Sequence, residues 1–280
     1  MTGVEPYGRP DVEETEAGMV LAAVADPPVR RGSDYAQLSR RISQAGLLER
    51  RPGWYAVRVA LTLGVFLAGW VAVLAVGDSW WQPLLAVGLA VATTQVAFLG
   101  HDAGHRQMFR RRGPSEAVGM IAGNLAVGLS YGWWIDKHNR HHANPNHEDE
   151  DPDVGAGALV WTYEQARGTR GFGRWLARRQ AYLFFPMLLL EGLNLHVASV
   201  RAIVGRGPDG RFGTPMRHRG IEALLLGAHT AGYVAILLLA MSPGKALLFA
   251  AVHQGLWGLY MGCSFAPNHK GMPMLDEKTD

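Results

Sequence analysis

Pro83-Leu-Leu-Ala-Val-Gly-Leu-Ala-Val-Ala-Thr-Thr-Gln-Val-Ala-Phe-Leu-Gly100-His101-Asp-Ala-Gly-His105 is the stretch on which the fold turns. Residues 83–100 carry no charge and come close to the ~20 residues needed to cross a ~30 Å hydrocarbon core. His101 and His105 follow at once, four apart, so they share one face of a helix continuing out of the apolar layer. Working outward, runs of similar character stand at 56–76, 221–241 and 245–263. A further run, 181–200, has the length but carries Glu191, Asn194 and His196, which are costly at mid-bilayer. It is expected as an interfacial or re-entrant helix. The fold class predicted is all-α: an integral membrane protein with four transmembrane helices and a cytoplasmic, histidine-rich metal-binding cap.

The average composition hides this. With 48% apolar and 18% charged residues in 280, the chain would pass for soluble were its apolar residues not bunched. Its net charge of +3 comes from arginines in loops flanking the spans, so no nucleic-acid partner is expected. Arg30, Arg31, Arg40, Arg41, Arg50 and Arg51 precede the first span, and the 77–82 connection has no basic residue. Arg106, Arg110, Arg111, Arg112, Lys137, Arg140 and others follow the second. Basic loops stay inside, which puts both termini and both histidine clusters in the cytoplasm. Cys263 is the single cysteine and excludes an internal disulfide. Residues 1–34 are acidic, hold prolines and lack an apolar core, and so read as a disordered tail rather than a signal peptide. Residues 35–280 then form one membrane domain. Ser33 or Asp34 caps a helix running to about Arg51. Its apolar stripe faces either the membrane surface or the protein's own cytosolic part.

The second cluster, His138-Asn-Arg-His141-His142, repeats the pattern at i, i+3 and i+4. Imidazole is the commonest protein ligand for transition metals, and grouped imidazoles imply a shared ion. A metal transporter would set its ligands mid-membrane along a pathway. Here they lie at or beyond span ends, which favours a membrane metalloenzyme. His196, His229 and His253, inside apolar segments, read as hydrogen-bonded packing residues, and His147 as an exposed loop residue. Asp102, Asp136 and the acids at 148–153 either hold imidazole N–H groups or cap and solvate helix ends. Trp133 and Trp134 read as interface anchors.

His101–His105 in HxxxH form, then Asp136-Lys-His138-Asn-Arg-His141-His142 followed by Asp151-Pro-Asp153, with Trp133-Trp134 upstream, resembles the membrane fatty acid desaturases. The likeness is to their acyl-lipid, linoleoyl-CoA and front-end type and covers roughly residues 35–269. It implies a histidine-bound di-iron centre that uses O2 and electrons from an external donor to place a cis double bond in a fatty acyl-CoA or acyl-lipid. By matching position, the ligands implied are His101, His105, His138, His141, His142 and, after the last span, His269. The electron-transfer partner implied is a ferredoxin, a cytochrome b5-like protein or a reductase, since no haem module, Rossmann fingerprint or cysteine cluster is present in the sequence. The family's third box, of QxxHH type, does not occur before Asp280, so the chain is expected to be truncated. The alternatives are a membrane di-iron hydroxylase or ketolase, and an inactive form lacking that box.

Overall fold

The computed structural model describes residues 33–155, 157–205, 213–269 and 272–276, with the side chains of 267–269 excepted. The expected tail at 1–34 therefore lies almost wholly outside the described residues. Among the described residues the chain is all-helical, with one isolated bridge, His147 to Leu275.

The first compact unit contributes α1 (Asp34–Gln44). Ser33 caps it by accepting from the Ala36 amide. The helix stops well short of Arg51 because Gly46 turns left-handed (φ +70°) and Leu47 and Gly46 donate back to Ile42 and Ser43. That pairing is a Schellman stop, which the glycine makes cheap.

The second unit, residues 50–280, holds the spans. They are α2 (Pro52–Val76), α3 (Gln82–Gly104), α10 (Arg219–Ala240) and α11 (Pro243–His269), with shorter helices between α3 and α10. All four are long and apolar enough to cross a membrane. Proline opens α2, α3 and α11, where its missing N–H costs nothing. The outward faces carry Leu61, Val65, Leu224, Leu239 and Leu247, all exposed. In water that surface would drive aggregation, whereas hydrocarbon matches it.

α3 is the most enclosed span and packs against both α2 and α11. Around it Val73, Val96, Phe249 and Trp257 are fully buried. At one end of the bundle Asp78 accepts from the Ser242 amide (2.9 Å) and hydroxyl (3.0 Å), so the α2–α3 and α10–α11 turns sit together. At the other end Arg58 on α2 pairs with Asp102 on α3 at 2.8 Å. The histidines lie at that end, opposite the Asp78 clamp.

The stretch expected as one helix at 181–200 is instead two, α8 (Gln180–Leu188) and α9 (Glu191–Val204), bent by 72°. The bend brings Gly192 against Gly258 of α11. A Cβ on Gly258 would stand 2.4 Å from the Gly192 nitrogen, so two backbones touch where any side chain would part them. Between α3 and the second histidine cluster come α4 (Arg112–Met120), a π-helical segment (Ile121–Val127) and α5 (Tyr131–Ala143). After the second histidine cluster come two short helices, α6 (Tyr163–Gly168) and α7 (Gly171–Ala177).

Candidate metal centre

α3 carries His101 and, at its C-cap, His105. α5 carries His138, His141 and His142 in its last turns. Ser130 starts α5 by accepting from the Trp133 amide at 3.3 Å, and Pro145 follows its end. Both helices therefore bring their C-terminal, partly negative ends to the same place, where a cation is favoured.

Four of the rings converge. His105 Nε2 stands 2.9 Å from His138 Nε2, and His142 Nε2 stands 3.1 Å from it. His101 joins with ring centroids 4.5 Å from His105 and 5.0 Å from His138. Ligand nitrogens of His101, His105 and His138 all lie within 4.8 Å of one another. Cis ligands at ~2.1 Å from a metal sit about 3 Å apart, so this donor set fits one transition-metal ion. Burial and then the neighbouring imidazoles push His138 down to about 3, and burial followed by His101 and His142 lowers His105. Both rings are therefore neutral near pH 7, with the lone pairs a metal requires.

His141 is set apart. Its Nδ1 donates to Asp151, 2.9 Å from each carboxylate oxygen, and lies 3.4 Å from Asp153. An acceptor-only partner fixes the proton on Nδ1 and makes Nε2 the lone-pair nitrogen. Asp151 is itself buried, its oxygens taking the amides of Asn146 and Asp153 at 2.8 Å each. Asp153 also pairs with Lys137. The acidic run signalled such a partner without saying which acid. Asp102 instead serves Arg58 and Tyr55, with His101 Nδ1 at 3.6 Å, beyond hydrogen-bond range. Asp136 pairs with Arg140.

Trp134, expected as an interface anchor, stacks on His138 at 4.4 Å and 22°, forming a wall of the cage. His147 is buried rather than exposed, its Nδ1 accepting from the amides of Asp149 and Glu150. His196, His229 and His253 are hydrogen-bonded packing residues, to Gly128 O, Leu125 O and Thr93 with Tyr233 respectively. His269 ends α11, but its side chain lies outside the described residues. Just beyond, Leu275 pairs with Asn146 and Glu148, returning the chain to the loop that follows the second cluster.

The five histidines line a cavity of about 590 Å³. Its other walls include Val127, Leu129, Phe184, Leu188, Leu195 and Met261.

Residues 78–279 match the family model described as fatty acid desaturase. The chain is 28% identical over 186 residues to a Delta(8)-fatty-acid desaturase of Helianthus annuus, covering 62% of this chain and 40% of the relative. It is 28% identical over 201 residues to a Delta 8-(E)-sphingolipid desaturase of Emericella nidulans, covering 67% and 36%. To an acyl-lipid (8-3)-desaturase of Rebecca salina it is 23% identical over 290 residues, covering 97% and 63%. The chain thus spans less than two thirds of the length of these relatives. With its histidine clusters gathered in the wall of a largely apolar cavity and most of its length matching, the chain belongs to the fatty acid desaturase family.

Proposed function

We propose that residues 35–280 act as one membrane domain that inserts a double bond into an acyl chain carried on a lipid or CoA. The observation carrying this reading is the meeting of four imidazoles from two helices in the wall of a largely apolar cavity. Adjacent methylenes in a saturated chain have no acidic proton, so no acid or base in the cavity can remove their hydrogens. A bound di-iron centre supplies that oxidising power from O2 and two donated electrons.

The chain's own residues do the rest. His101, His105, His138 and His142 would hold metal, with His141, oriented by Asp151, and His269 as further ligands. Val127, Leu129, Leu195 and Met261 take up methylenes, each CH2 gaining about 0.8 kcal/mol on leaving water, and hold the reacting carbons beside the histidines. Trp134, whose ring packs against Gly104 of α3, keeps water from the His138 side. The Lys137–Asp153 pair also lines the cavity, next to His141. The arginine distribution supports a cytoplasmic histidine face and cytoplasmic termini. On that face a ferredoxin, cytochrome b5-like protein or reductase would deliver electrons.

The test is product analysis. The 280-residue chain in nanodiscs of acyl-lipid, loaded with ferrous iron and supplied with O2 and a reduced ferredoxin, should yield chains lighter by two hydrogens. Chains that gain an oxygen instead, or remain unchanged with iron bound, would contradict the assignment.

A further inference from the structure

Among the described residues two acids are buried, and only Asp151 has so far been given a role. The other, Glu222, is 3% exposed in the first turn of α10. Its Oε2 accepts from Ser130 Oγ at 2.7 Å, the Gly132 amide at 3.0 Å and Asn124 Nδ2 at 3.3 Å. Ser130 is the N-cap of α5, and Gly132 is that helix's second residue. The carboxylate therefore caps the second histidine helix from a different span. The first amides of α5 are all taken: Tyr131 by Asn124 Oδ1 (3.2 Å), Gly132 by Glu222, Trp133 by Ser130 Oγ. The Ser130 amide goes to Ser199 of α9 at 3.0 Å. A Cβ on Gly132 would lie 2.4 Å from Glu222 Oε1, so a side chain there would push the carboxyl group aside.

This clamp has a lever attached. Tyr131 stacks on Trp134, and Trp134 stacks on His138. A histidine nitrogen lies roughly 6 Å from its helix axis, so a 20° rotation of α5 would carry it about 2 Å, a whole metal–nitrogen bond length. Helix capping alone needs only Ser130. An acceptor oxygen drawn from another span fixes how the helix is rotated as well as where it begins. We infer that Glu222 is a positioning residue that sets the rotation of α5 and so the convergence of its histidines on those of α3. This inference rests on the metal-centre reading above.

The experiment uses the full chain in nanodiscs, with Glu222→Ala, Glu222→Gln and Ser130→Ala compared with native protein. Asp78→Asn, at the far end of the bundle, serves as the control. Two readouts are taken: hydrogen exchange of amides 131–143 without metal, and the rate at which bound Co2+ is lost to a chelator. Glu222→Ala should raise exchange in 131–143 by at least tenfold and release Co2+ roughly 10–100-fold faster. Glu222→Gln keeps an acceptor oxygen and should fall within about threefold of native in both. Ser130→Ala should move both readouts the same way, which keeps the test decisive should Glu222→Ala not fold. Asp78→Asn should leave both unchanged. Native exchange in 131–143 for Glu222→Ala and Ser130→Ala, or equal acceleration by Asp78→Asn, overturns the inference. If native protein takes up no Co2+, the metal-centre reading fails, and exchange in 131–143 alone still decides whether Glu222 sets the helix.

Discussion

His138 stands at the centre of the cage, within 3.1 Å of two other ring nitrogens. At that spacing the rings either share N–H···N hydrogen bonds or turn their lone pairs together onto a cation. His141 differs in that its outward nitrogen is set by Asp151. Asp151→Asn keeps the shape but turns an NH2 toward a backbone amide, leaving a buried donor unmet at about 1–3 kcal/mol. The expected outcome is a metal affinity lower by roughly 10–100-fold at little cost to helix content. Chelator competition on purified protein measures it, and an unchanged affinity would remove Asp151 from the account. The ligand candidates were legible in the sequence because i, i+3 and i+4 spacing carries geometry with it. The separate placement of His141 was not, since it depends on a loop folding back ten residues later.

At the scale of elements, apolar length alone located the four spans, because a bilayer sets that length. The bend at 189–190 was only hinted at, by Pro186 and the change to polar residues at Glu191, since the Gly192–Gly258 contact that accompanies it is remote in sequence. The π-helical segment was equally invisible, having no residue pattern of its own. The turns joining the spans form a unit through Asp78, whose carboxyl is held below the usual 3.8 by hydrogen bonds from the Ser242 amide and hydroxyl. A carboxylate whose folded pKa is depressed stabilises fully above the unfolded value and loses that contribution as pH falls through the folded one. Asp78→Asn should therefore melt lower than native at pH 7, on the order of 2 °C, and the two should converge as pH drops below about 3.8. A gap in detergent melts that does not narrow as pH falls below about 3.8 would show that the clamp is not ionic.

For the whole molecule, the helical class, the four long apolar helices and the meeting of the two histidine clusters were readable because membrane thickness and metal ligation each demand a short, stereotyped pattern. The cavity was not readable, since its walls come from α3, the π-helical segment, α8, α9 and α11 and touch only after folding. Nor did sequence reveal the Glu222 clamp: a single acid beginning a span looks like ordinary helix-terminal charge. What unites these scales is one placement, that two helices whose histidines are 33 residues apart end with those rings together. X-ray absorption at the iron edge of the purified, iron-loaded chain tests this most directly. The account predicts a first shell of imidazole nitrogens near ~2.1 Å, at least three per iron and reduced in both His105→Ala and His138→Ala. Iron bound only by oxygen, or a shell unaltered by one of those substitutions, would contradict it.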